Sequence, residues 1–149
     1  MSDTSRPEDP AGLFIDQIVH RTRHGTIEAI LRMLEEGPSG RSPRPTDLAR
    51  YDWFRSLDAD DKEKVAEVVR ETVDRTLFST MALLDGATSG WPVQGRCSDF
   101  VLYLQLYSDE ESYLENAPSR LERINRPDNA EDLHDRFMNA AEDADHAWP

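Results

Sequence analysis

Residues 58–86 read DADDKEKVAEVVRETVDRTLFSTMALLDG, and this stretch predicts a long helix. The apolar side chains recur every three or four positions, which is the spacing of one helical face: Val65, Val69, Val73, Leu77, Met81 and Leu84. The acidic residues at 58–61 suit the positive amino end of a helix, and Asp85-Gly86 is typical of a helix end. The chain is therefore expected to be built mainly from helices.

Helical periodicity is also present before and after this stretch. Residues 11–23 carry one apolar stripe and residues 27–34 a second, which one straight helix would rotate by roughly 120° from the first. Gly25 lies at the junction, so the sequence predicts either a kink or two helices, with Gly37 closing the second. A final helix is predicted by a stripe near the carboxyl end: Leu133, Phe137, Ala141 and Ala144.

The period changes to two between residues 98 and 107, where leucines at 102, 104 and 106 alternate with Tyr103, Gln105 and Tyr107. This alternation predicts a strand. A lone strand leaves its backbone groups unpaired, so its partner must be residues 91–95, residues 113–121, or the same strand of a second copy. The predicted fold class is mostly α (α+β), with about four to five helices and a small β element around residues 98–107.

The 149 residues are most simply one domain. Residues 1–9 are expected to form a flexible tail and residues 10–149 a single domain with a Pro/Gly/Ser-rich loop at 37–46. The amino end does not resemble a signal peptide, and no apolar run approaches the roughly 18 residues that cross a bilayer. The single cysteine, Cys97, cannot form an internal disulfide, so a cytoplasmic location is predicted.

Negative charge is concentrated in the second part of the chain. The formal net charge is -13; residues 1–57 hold 8 basic and 9 acidic residues, whereas residues 58–149 hold 9 basic and 21 acidic ones. Such a field repels nucleic-acid phosphates and anionic lipid and attracts a basic protein. The charge therefore predicts a protein partner of basic character and argues against nucleic acid and membrane surfaces.

Aromatic and acidic residues suggest where a partner would bind. Trp91, Tyr103, Tyr107 and Tyr113 are candidate apolar anchors, and the run Asp109, Glu110 and Glu111 offers carboxylates beside them. The run lacks the spacing and the glycine of a calcium loop. These seven residues are the predicted binding surface.

Histidines are the weaker candidates for chemistry. His20 and His24 are four residues apart and could share a metal ion on a helix, but their positions opposite the apolar stripe favour an exposed surface. His134 is expected at the edge of the final stripe, where it could act as a general base or simply bond a backbone carbonyl. No phosphate loop, dinucleotide fingerprint or zinc-knuckle spacing is present, so no cofactor is predicted.

The motifs Trp53…Leu57, Leu84-Asp85-Gly86 and Leu133-His134-Asp135 resemble small uncharacterised bacterial proteins over roughly residues 51–139. The resemblance implies no activity and no site residue. Size, acidity and the lack of a catalytic set also resemble immunity proteins that block basic nuclease toxins.

The function predicted from sequence is an acidic, soluble protein-binding domain that neutralises or docks a basic partner. One alternative is a small hydrolase or metal-dependent enzyme that uses His134 or the His20/His24 pair. Another is the structural subunit of a homo-oligomer, for instance a homodimer paired through the strand. The absence of a catalytic motif favours a non-enzymatic role.

Overall fold

A computed structural model describes residues 9–86, 101–125 and 131–147. Within these ranges the helices are α1 (Pro10–Gln17), α2 (His24–Glu36), α3 (Pro45–Ser56), α4 (Ala59–Leu84), α5 (Glu110–Leu114) and α6 (Leu133–Ala147). Strands β1 (Tyr103–Leu106) and β2 (Arg120–Arg123) form a two-stranded antiparallel sheet. The predicted class, mostly helical with a small β element, is confirmed.

A π-helical segment, Ile18–Arg23, joins α1 to α2 without a break. Each π turn takes about one residue more than an α turn, which rotates the following residues by roughly 100°. That rotation explains how two apolar stripes offset by roughly 120° occupy one uninterrupted helix. The sequence allowed a kink or two helices, and the observed continuous helix with a local irregularity is closer to the kink. The irregularity is the π segment, whereas Gly25 is an exposed residue of α2.

The chain divides into two compact units. One unit is His20–Leu77, in which α2 packs against α3. Its buried apolar residues are Ile27, Leu34, Phe54 and Ala66. Gly37 ends α2 with a φ of 92°, a value that favours glycine, as the sequence predicted.

A buried ion pair also lies within the His20–Leu77 unit. The Arg23 guanidinium is 1% exposed and makes two bonds to Asp74, Nε to Oδ1 at 2.6 Å and a terminal nitrogen to Oδ2 at 3.0 Å. The planar guanidinium matches the carboxylate with two parallel bonds, which is the arrangement that best offsets the loss of hydration. The pair therefore fixes the carboxyl end of the π segment against α4.

The other unit comprises the described residues of Met1–Val19 and Phe78–Pro149, and in it α1 packs against α6. The whole predicted stripe of the last helix is buried in this unit. Its buried apolar residues are Ala11, Ile15, Val19, Met81, Ala82, Ile124, Leu133, Phe137, Ala141 and Ala144. Asn125 connects the sheet to α4, since its Oδ1 accepts from the Leu102 backbone N–H at 2.8 Å and its Nδ2 donates to the Leu84 carbonyl. The expectation of a single domain over 10–149 stays a prediction.

The sheet pairs Tyr103 with Arg123, Leu104 with Glu122, Gln105 with Leu121, and Leu106 with Arg120. The partner of the predicted strand is thus β2, which starts at the end of the second segment that the sequence offered, residues 113–121. Leu102, Leu104 and Leu106 are half-buried, whereas Val101, Tyr103 and Gln105 are exposed. The period-two pattern therefore separates an inner from an outer face, as alternation in a strand requires.

None of the helices in the described ranges combines the length and the apolar character that a bilayer-spanning segment needs.

Candidate functional site

The outer side of the sheet exposes a row of large side chains. Residues that pair across an antiparallel sheet lie on the same side, so Tyr103 and Gln105 share their side with Leu121. Tyr103 is 51% exposed and Leu121 is 55% exposed. Tyr107 continues this side because its hydroxyl donates to Gln105 Oε1 at 2.8 Å.

Tyr113 extends the row from α5. Its ring packs edge-on against Tyr107, with ring centroids 5.3 Å apart, and it is 64% exposed. We call Tyr103, Gln105, Tyr107, Tyr113 and Leu121 the hairpin face. Because edge-to-face packing leaves one ring face of an exposed tyrosine open, the hairpin face presents rigid aromatic surface to solvent.

Carboxylates lie beside the hairpin face within α5 and at both of its ends. We call Asp109, Glu110, Glu111 and Glu115 the acidic turn; all four are exposed. No basic residue lies between 107 and 119, so no cation adjacent in sequence offsets this charge. The acidic turn therefore places a local negative field at the edge of an aromatic surface.

Asp109 is held in place as the cap of α5. Its Oδ1 accepts from the Ser112 hydroxyl at 2.6 Å and from the Ser112 backbone N–H at 2.8 Å. The hydroxyl bond, followed by the backbone bond, lowers the pKa of Asp109 below its ordinary value. The carboxylate is therefore ionised throughout the neutral range, with its position fixed by the helix start.

The sequence-predicted binding residues thus meet in part. Tyr103, Tyr107, Tyr113 and the run Asp109–Glu111 lie on one hairpin and the short helix within it, whereas Trp91 lies outside the described residues, as does Cys97. Sequence reasoning missed Leu121, which joins the hairpin face only through its pairing opposite Gln105. The sequence had marked residues 113–121 as a candidate partner strand. The strand pattern there was too short to show which residues of β1 would lie opposite Leu121.

His134 lies at the start of α6 and is bonded to Asp85, which follows α4. Asp85 Oδ2 lies 2.8 Å from His134 Nδ1 and accepts the His134 backbone N–H at 3.0 Å. The Asp85 side chain is 4% exposed and the His134 side chain 15%. The prediction that the His134 ring bonds a backbone carbonyl is wrong. Its Nδ1 instead contacts the carboxylate of Asp85, which is 49 positions away in the sequence.

The bond to Asp85 determines which ring nitrogen of His134 is free. Nδ1 is engaged with the Asp85 carboxylate, so Nε2 is the ring nitrogen that lies outside this bond. Phe78 packs edge-on against this ring at 5.3 Å and 90°, which restricts its rotation. Nε2 lies 3.7 Å from Asp135 Oδ1.

The other predicted histidines have a different environment. The rings of His20 and His24 pack edge-to-face with centroids 5.7 Å apart. In the described ranges, the group of three potential metal ligands with atoms within 4.8 Å of one another is Asp132, His134 and Asp135. The metal ion that the sequence suggested His20 and His24 could share stays a prediction.

A shallow cleft of about 280 Å³ lies between α1 and α6, lined by Gly12, Ile15, Asp16, Glu131, Arg136, Asn139, Ala140 and Asp143. Two of its polar side chains are hydrogen-bonded: Arg136 donates to Asp9, which lies outside the lining, at 2.5 Å, and Asn139 donates to Glu131 at 2.7 Å. Partial burial raises the pKa of Asp9, but bonds from the Gly12 backbone and Arg136 outweigh it, and the net pKa is lowered.

Comparison with protein-family models, curated proteins and solved structures finds no significant match for this chain. The resemblance to small bacterial proteins and the analogy to immunity proteins therefore stay predictions.

Proposed function

We propose that this protein binds a basic protein partner through the hairpin face and the acidic turn. The observation that carries the proposal is the exposure of Tyr113 at 64% and Leu121 at 55% in a surface flanked by four exposed carboxylates. Exposed aromatic anchors with a charged rim have the composition of a binding hot spot. The aromatic rings would supply most of the affinity and the carboxylates the choice of partner.

The character of the partner follows from the charge. The chain has a formal net charge of -13, and the acidic turn has four carboxylates in seven positions with no base among them. Complementary charge accelerates encounter and disfavours acidic proteins, while each exposed pair adds little affinity. A protein with a basic surface, as in the immunity analogy, is the occupant that this patch fits.

Site-specific photocrosslinking tests the proposal. A photoreactive phenylalanine analogue replaces Tyr113, or in the control Trp53, which is 51% exposed in the other unit. In lysate of the native host, we expect the Tyr113 probe and not the Trp53 probe to capture a protein with a basic surface. The captured protein, purified, should then bind the unmodified chain more weakly as salt rises.

Three outcomes would contradict the proposal. Capture of an acidic protein would remove the charge argument, and affinity that is indifferent to salt would do the same. Capture of a second copy of this chain would favour the homo-oligomer alternative, which light scattering on the eluted protein would verify.

A further inference from the structure

Three potential ligands for a cation lie together at the start of α6. Asp132, His134 and Asp135 each offer one ligand atom, and these atoms lie within 4.8 Å of one another. An imidazole nitrogen combined with carboxylate oxygens suits Zn²⁺ and related first-row divalent ions. Both aspartates are exposed and can change rotamer, whereas His134 is half-buried.

The buried carboxylate of Asp85 distinguishes this cluster from an ordinary acidic surface. It comes from another element, lies outside the cluster, and orients the His134 ring through a contact of 2.8 Å with Nδ1. The second ring nitrogen, Nε2, lies outside that contact and 3.7 Å from Asp135 Oδ1. A metal-bound histidine whose second nitrogen bonds a carboxylate is the recurrent arrangement in zinc sites, because it orients the ring and raises its basicity.

We propose that Asp132, His134 Nε2 and Asp135 bind one divalent transition-metal ion, with Asp85 as the positioning residue. Zinc–ligand bonds of about 2.0–2.2 Å place neighbouring ligand atoms roughly 3.3 Å apart. The Nε2–Asp135 separation of 3.7 Å is close to that value, and rotation of an exposed aspartate closes the rest. Three protein ligands leave a coordination position for water.

This site is independent of the proposed protein binding. The hairpin face and the metal ligands share no residue, so either proposal can fail while the other holds. The excess of negative charge in residues 58–149 also raises the local concentration of cations around the site.

Calorimetric titration of Zn²⁺ into the EDTA-treated, dialysed chain at pH 7 tests the inference. We expect one ion per chain, with the Kd raised tenfold or more by Asp135→Asn. Asp143→Asn is the matched control, an exposed carboxylate of the same helix that should leave the Kd unchanged. Asp85→Asn should weaken binding by about 10- to 100-fold through the orientation of the ring.

A spectroscopic readout protects the test against a variant that fails to fold. In nitrogen-15 spectra of the wild-type chain, zinc should shift Nε2 of His134 while Nδ1 keeps the signature of a protonated nitrogen. Zinc that leaves the His134 ring unshifted would overturn the proposal. Binding lost in His24→Ala but kept in Asp135→Asn would also overturn it and would place the ion at His20 and His24.

Discussion

Replacing Asp85 with alanine should destabilise the protein, because its carboxylate bonds two groups at the start of α6. The Asp85 carboxylate caps α6 by accepting the His134 backbone N–H, and it also holds the His134 ring. Losing a helix cap costs about 1 kcal/mol, and leaving a half-buried ring N–H unpaired costs about 1–3 kcal/mol. The free energy of unfolding should therefore fall by about 2–4 kcal/mol in Asp85→Ala.

Urea unfolding followed by far-ultraviolet circular dichroism, with EDTA present to remove metal, measures this loss. Asp143→Ala is the control, since an exposed carboxylate of α6 should cost no more than about 0.5 kcal/mol. Asp85→Asn retains an oxygen acceptor in the same place, so it should lie between the two. The reasoning is refuted if Asp85→Ala unfolds at the same urea concentration as Asp143→Ala with an unchanged slope.

Two further predictions concern ion pairs. Asp74→Ala removes the two bonds that the Asp74 carboxylate makes to the buried Arg23 guanidinium and should cost about 3 kcal/mol, whereas Glu71→Ala, which removes an exposed pair of the same helix, should change stability by less than about 1 kcal/mol; equal urea midpoints for the two variants would contradict this. The pKa of Asp9 is lowered below 3.8 in the folded protein, so the stabilisation by its pair with Arg136 is present above about pH 4 and lost as the pH falls through the folded pKa. The free energy of unfolding should differ between wild type and Asp9→Asn by at most about 1 kcal/mol for so exposed a pair, and the resulting difference in Tm should vanish on acidification; a difference in Tm that grows below pH 4 would reverse the assignment.

Periodicity predicted those parts of the fold in which neighbouring residues decide the structure. The stripe of α6 is buried as expected, from Leu133 at 1% exposure to Phe137 at 0%. The alternation around Tyr103 likewise gave the strand and its two sides. In both cases the pattern of one segment records which side faces the core.

Long-range partners could not be predicted in this way. Asp85 and His134 are 49 positions apart, and Arg23 and Asp74 are 51 apart, so nothing in the local sequence shows that they meet. Arginine is usually found at the surface, yet Arg23 is 1% exposed, and its guanidinium pairs with Asp74. The π segment was equally hidden, since its only trace is a change of phase between two apolar stripes.

The affinity of the captured partner for Tyr113→Ala measures the central claim most directly. Removal of an aromatic anchor at the centre of an interface typically costs about 2 kcal/mol or more, which corresponds to a Kd raised roughly 30-fold. We expect that increase for Tyr113→Ala in titration calorimetry, and no change for Trp53→Ala, whose side chain is comparably exposed in the other unit. Equal affinities for Tyr113→Ala and the unmodified chain would contradict the assignment of the hairpin face as the binding surface.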